Sequence, residues 1–99
     1  MGTNVEHQLS EELSLKYPKK YNVFLLNDDY TSMEFVVEIL MNVFHKNHTQ
    51  AEAIMLEIHK KDKGLCGNYS YEIAETKVMQ VTKKARDNGF PLKAIMEEE

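Results

Sequence analysis

The stretch Tyr21-Asn22-Val23-Phe24-Leu25-Leu26-Asn27-Asp28-Asp29-Tyr30-Thr31-Ser32-Met33-Glu34 runs from an apolar strand into a helix through a row of side-chain acceptors. Residues 21–26 are rich in β-formers and read as a short buried strand. Beyond the acceptors, Thr31 and Glu34 have the spacing of a capping box, with Thr31 as N-cap. Tyr30 and Phe35 fall at the hydrophobic-staple positions around it. A loop held at both ends is where a scaffold displays polar groups for a ligand. Asn27, Asp28 and Asp29 accept hydrogen bonds from a cation or bind a hard metal. Asp and Asn are also common ahead of helices, where they satisfy free backbone N–H groups. Taken alone, this loop reads as helix-capping chemistry.

Working outward, the first helix is expected over about residues 32–44. Its Phe35, Val36, Val37, Ile39, Leu40, Met41, Val43 and Phe44 nearly encircle the axis, which implies deep burial. Lys46-Asn47-His48 breaks the pattern, and Thr49 with Glu52 forms a second capping box. The helix that follows carries Ala51, Ile54, Met55 and Ile58 on one face. It stops at Lys60-Lys61-Asp62-Lys63-Gly64, with cations in the last turn and a glycine beyond. Residues 65–69 read as a strand. A third helix starts at Ser70 or Tyr71, turns Ile73, Val78, Val81 and Ala85 inward, and ends at Asn88-Gly89. Residues 92–96, after Pro91, alternate as a last strand. The order β-α-α-β-α-β predicts an α+β fold in which three helices pack against a three-stranded antiparallel sheet. Residues 1–16 are polar and weakly patterned and read as a flexible N-terminal tail ahead of a core domain at 17–99.

Ninety-nine residues make one small domain, and a composition of 42% hydrophobic and 28% charged residues describes an ordinary soluble globule. The net charge of −4, with no basic stripe, argues against a nucleic-acid partner. The single Cys66 excludes an intrachain disulfide and suits a reducing compartment. Lying within Leu65-Cys66-Gly67, it reads as a buried core thiol. No cysteine–histidine spacing forms a zinc site, and no metal or other cofactor is expected. No run reaches membrane-spanning length and no apolar leader opens the chain. The expected address is the cytoplasm, and the expected state a monomer.

The second helix adds the other half of a candidate site. Met55 and His59 are spaced i, i+4 and share a face, with Ile58 beside them. A histidine beside an apolar stripe is ordinarily a packing residue, and methionines ordinarily fill core space. With the first two helices side by side, however, Asn27, Asp28 and His59 converge at one rim. Met33, Val36, Met55 and Ile58 then line a depression below it. Acceptors at the mouth and an apolar floor suit an ammonium group joined to a hydrophobic side chain, which is the chemistry of a protein's own N-terminal residue.

The ordered motifs Leu26-Asn27-Asp28-Asp29-Tyr30-Thr31, Met33-Glu34-Phe35-Val36 and Met55-Leu56-Glu57-Ile58-His59 carry a resemblance. Cys66-Gly67, Ala74-Glu75-Thr76-Lys77-Val78 and Pro91-Leu92 extend it, so that it spans about residue 17 to the end. The chain resembles the ClpS family, bacterial adaptors that deliver N-degron substrates to the ClpA unfoldase of the ClpAP protease. The resemblance implies that Asn27, Asp28 and His59 bind the substrate's α-amino group. It implies that Asp29, Thr31, Met33, Val36, Met55, Ile58 and Leu92 form or border the pocket for the first side chain. Met33 would be a gate that rejects β-branched residues and admits Leu, Phe, Tyr and Trp. Glu72 and Lys77 would dock on the N-domain of a ClpA-type AAA+ unfoldase, and the tail would engage the unfoldase during transfer. Two residues depart from the family's pattern. Ser32 stands where proline is frequent, at a position where proline is dispensable. Ile58 stands where valine is frequent and adds a methylene beside the pocket, which is expected to weigh against tryptophan.

Two other functions compete. An enzyme would use Asp28, Asp29 and His59 as a metal or acid–base site, but these are few ligands and no nucleophile has a partner base. A generic protein-interaction domain would use the Asn-Asp-Asp loop as a helix cap alone.

Overall fold

The computed structural model describes residues 18–99, so the tail expected at residues 1–16 lies outside them. Six elements follow one another: β1 (Lys20–Leu26), α1 (Met33–Asn42), α2 (His48–Lys61), β2 (Lys63–Ser70), α3 (Tyr71–Asp87) and β3 (Lys93–Glu98). The sheet order is β2-β1-β3, with both neighbours antiparallel to the central β1. This is the predicted α+β architecture of three helices on a three-stranded antiparallel sheet.

Central position explains the burial of β1. Val23 and Leu25 are fully buried, while the alternating Asn22, Phe24 and Leu26 are partly exposed, so one face of the strand meets the helices. That period of two is the mark of a half-covered sheet. The helices supply Ile39 and Leu40 from α1, Ala51 and Ile58 from α2, and Ala74, Val81 and Ala85 from α3. Leu65 pairs with Phe24 and Gly67 with Val23, which leaves Cys66 as the extra residue of a β-bulge. Cys66 is buried in the core, and burial pushes its thiol pKa up to about 12. That keeps it in the unreactive thiol form.

Several local expectations are corrected. The N-cap of α1 is Ser32, whose hydroxyl accepts the Phe35 N–H at 3.1 Å. Thr31 sits one residue earlier, in the turn closed by Asp28, which takes both its N–H and its hydroxyl proton. With the cap displaced by one residue the staple fails too, and Tyr30 is 80% exposed. The capping box of α2 is Asn47 with Gln50, not Thr49 with Glu52. The left-handed residue ending α2 is Asp62 at φ 69°, and Gly64 belongs to β2. Helix α1 stops at Asn42, so Val43 caps it and Phe44 is buried beyond it. Ile73 faces solvent, and Ala74, one residue on, takes the inward position on α3. Leu92 precedes β3 rather than beginning it.

Candidate functional site

Two pieces of backbone frame the site. The β1–β2 ladder runs one bond past the strands, where the Asn27 N–H donates to the Asp62 carbonyl at 2.9 Å. This pins the start of the β1–α1 loop to the turn that ends α2. At its other end the loop enters α1 through the Ser32 cap, and Phe35 in the first turn packs on Phe90 with ring centroids 4.7 Å apart. Both ends of the loop are therefore tied to the body of the fold.

Asp28 organises what lies between. Its Oδ1 accepts the N–H groups of Tyr30 at 2.8 Å and Thr31 at 2.7 Å, and its Oδ2 accepts the Thr31 hydroxyl at 2.7 Å. Partial burial pushes the carboxyl pKa up. The hydrogen bonds from the Thr31 N–H, the Thr31 hydroxyl and the Tyr30 N–H together outweigh that and hold it below the ordinary 3.8. Asp28 is thus an anion at neutral pH, and a carboxylate offers about four acceptor positions. Three are spent on the loop. The fourth, on Oδ2, is left for a ligand.

The loop, the first turn of α1 and the last two turns of α2 enclose a cavity of about 260 Å³ lined by Asn27, Asp28, Asp29, Thr31, Met33, Val36, Met55, Ile58 and His59. Nine of the ten residues singled out for an amino-group site and its pocket therefore meet at one cavity. Leu92 does not join them; it is 5% exposed, within the core. Val36 and Ile58 are buried apolar walls, while Met33 is 50% exposed at the opening. Three rotatable bonds let a rim methionine change shape without disturbing the core. The volume is below the roughly 300–1,000 Å³ of pockets for drug-sized ligands and suits a single side chain. Among the described residues, no three His, Cys, Asp or Glu side chains come together as metal ligands.

The two residues expected to dock an unfoldase lie elsewhere. Glu72 is exposed in the first turn of α3. Lys77 is partly buried: its Nζ donates to the Val43 carbonyl at the end of α1 at 2.6 Å and lies 5.7 Å from the Tyr69 ring centre. Asp62 and Ser32 shape the site and were not legible as doing so. Asp28-x-x-Thr31 does carry a signal, since an Asx-type turn competes with Thr31 capping the helix. No helix among the described residues is long and apolar enough to cross a membrane.

Residues 16–95 match the family model described as ATP-dependent Clp protease adaptor protein ClpS. The chain is 50% identical over 97 residues to the ATP-dependent Clp protease adapter protein ClpS of Wolinella succinogenes, covering 98% of this chain and 95% of that one. It is 53% identical over 98 residues to the protein of the same name from Neisseria meningitidis serogroup A, covering 96% and 95%. The solved structure of Agrobacterium tumefaciens ClpS2 bound to L-phenylalaninamide superposes with a TM-score of 0.81 at 38% identity, covering 83% of this chain and 99% of that one.

Proposed function

Because the chain belongs to the ClpS family of ATP-dependent Clp protease adaptors, which are not enzymes, we propose that its cavity binds substrate N-termini. The ligand is a free α-amino group followed by a bulky hydrophobic side chain, Leu, Phe, Tyr or Trp. The chain then hands that substrate, in the cytoplasm and as a monomer, to the N-domain of a ClpA-type unfoldase for degradation by ClpAP. The observation that carries this reading is the single cavity with Asn27, Asp28 and His59 at its polar side and Val36, Met55 and Ile58 as apolar walls. The relative bound to L-phenylalaninamide supports it, since that ligand joins an amino group to a benzyl side chain.

The chemistry is additive. An ammonium has three donors. The Asn27 amide oxygen, the remaining Oδ2 position of Asp28 and a ring nitrogen of His59 take one each. Hydrogen bonds to charged groups contribute roughly 1.5–3 kcal/mol apiece, and a buried Leu or Phe side chain roughly 1.5–3 kcal/mol more. Association costs at least ~4 kcal/mol in lost freedom. The result is reversible binding, as an adaptor that surrenders its cargo requires.

One observation favours the second reading, a loop that only caps. Asp28 already holds three donors of its own loop. That reading expects Asp28→Ala to lower stability modestly and change no binding. Fluorescence anisotropy decides between them, using a labelled peptide that begins with Phe, its N-acetylated form and a version beginning with Ser. Binding of the free-amino Phe peptide alone is the expected result; equal binding of all three, or of none, sinks the adaptor reading. For delivery, Glu72 is the cleaner probe because Lys77 also holds the end of α1. Glu72→Lys is expected to abolish binding to the unfoldase N-domain while leaving peptide affinity intact.

A further inference from the structure

We infer that Gly64, which lies outside the cavity on β2, sets the size limit of the pocket by leaving the space that Ile58 occupies. The inference rests on the peptide-binding reading above and names a positioning residue for it. Gly64 is buried and its φ is not in the left-handed region, so its backbone does not call for glycine. A strand glycine without that need weakens the strand and marks a close approach instead. The approach is visible here. A Cβ at position 64 would lie 2.6 Å from Ile58 Cγ1, 3.2 Å from the Ile54 carbonyl oxygen and 3.3 Å from Ile54 Cγ2.

Little around Gly64 can yield. The Ile54 oxygen is helix backbone, and Gly64 pairs across the sheet with Leu25, which is fully buried in the central strand. Ile58 Cγ1 is no flexible tip either. It sits on the branched carbon of a residue whose χ1 is nearly fixed in a helix. In a close-packed interior the displacement is passed on rather than absorbed. Any side chain at 64 therefore moves Ile58 away from β2, by turning its χ1 or by shifting α2. Ile58 is also a wall of the cavity, so the added methyl at 64 appears as lost room for the substrate side chain.

The test is a double-mutant cycle read as selectivity. Kd values for peptides beginning with Phe and with Leu are measured for wild type, Gly64→Ala, Ile58→Ala and the double variant, with circular dichroism as the check on folding. Gly64→Ala is expected to lower the Phe-to-Leu affinity ratio roughly tenfold, the low end of what one methylene decides in an apolar pocket. In the Ile58→Ala background the same change is expected to alter the ratio far less, because the closest atom it meets, Ile58 Cγ1, is gone and only the looser Ile54 contacts remain. An unchanged ratio in folded Gly64→Ala overturns the inference, as does an equal change in both backgrounds. Should Gly64→Ala not fold, Ile58→Val, which keeps the glycine, is expected to raise the ratio; no rise overturns the inference. Wild type that binds neither peptide refutes the reading of the site itself, which is a distinguishable result.

Discussion

Asp28→Asn separates the two tasks that one carboxylate performs. Oδ1 accepts two backbone N–H groups at 2.8 and 2.7 Å, and Oδ2 accepts the Thr31 hydroxyl at 2.7 Å. An asparagine amide keeps one oxygen for the two backbone donors. Its NH₂ then donates to the Thr31 hydroxyl, which rotates to accept. Both backbone donors stay paired and only the part-buried Thr31 O–H loses its acceptor, so stability is expected to fall by ~1 kcal/mol. The negative charge and the free acceptor position are lost, and a donor now faces the substrate ammonium. Losing a hydrogen bond to a charged group removes roughly 1.5–3 kcal/mol of binding, which is roughly 10- to 150-fold in Kd. Anisotropy with the Phe peptide measures the binding, and urea unfolding measures the stability. Affinity within roughly threefold of wild type, less than ~1 kcal/mol, would refute the reasoning and reduce Asp28 to a cap.

Three further outcomes are expected. Because the carboxyl pKa of Asp28 is held below 3.8 in the folded chain, its stabilisation is fully present above 3.8 and lost as pH falls through the lower folded value. The Thr31 amide resonance should therefore titrate with a midpoint below 3.8, and a midpoint at or above it would contradict the geometry. Met33→Ala is expected to admit a Val-starting peptide with affinity raised roughly tenfold, since the half-exposed gate is removed; anisotropy showing continued exclusion would acquit Met33. Asn47→Ala breaks the α2 capping box and is expected to cost ~1 kcal/mol in urea unfolding, with peptide affinity unchanged.

Long-period patterns were legible in the sequence, and single-residue offsets were not. The alternation around Val23 and Leu25 and the apolar face of Ala51, Ile54, Met55 and Ile58 follow from periods that many residues enforce together. Capping depends on one hydroxyl or amide, and neighbouring candidates compete. Thr31 and Ser32 are adjacent candidates; Asp28 draws Thr31 into its own turn, and Ser32 accepts the Phe35 N–H. Asn47-x-x-Gln50 and Thr49-x-x-Glu52 have the same spacing two residues apart, and only the backbone entering α2 chooses between them. Hydrophobicity points Ile73 inward, yet the start of α3 gives that direction to Ala74, which is fully buried while Ile73 is half exposed. The cavity lining was legible because its residues cluster in two short segments. Leu92 is expected from the resemblance alone; it lies in the core, as Val36 and Ile58 do, but not in the cavity lining. Gly64 was unreadable for the opposite reason: its role is an absence, visible only when Ile58 stands 2.6 Å from where its Cβ would be.

The bond from the Asn27 N–H to the Asp62 carbonyl is the last rung of the β1–β2 ladder. Last rungs fray first, and amides that fray exchange with solvent deuterium faster than those deeper in a sheet. This rung joins the first residue of the acceptor loop to the turn that follows His59, so its opening loosens one tie between the two halves of the cavity. Its deuterium uptake is a clock for the loosening of that tie, one that runs on the backbone and needs no label on the cargo.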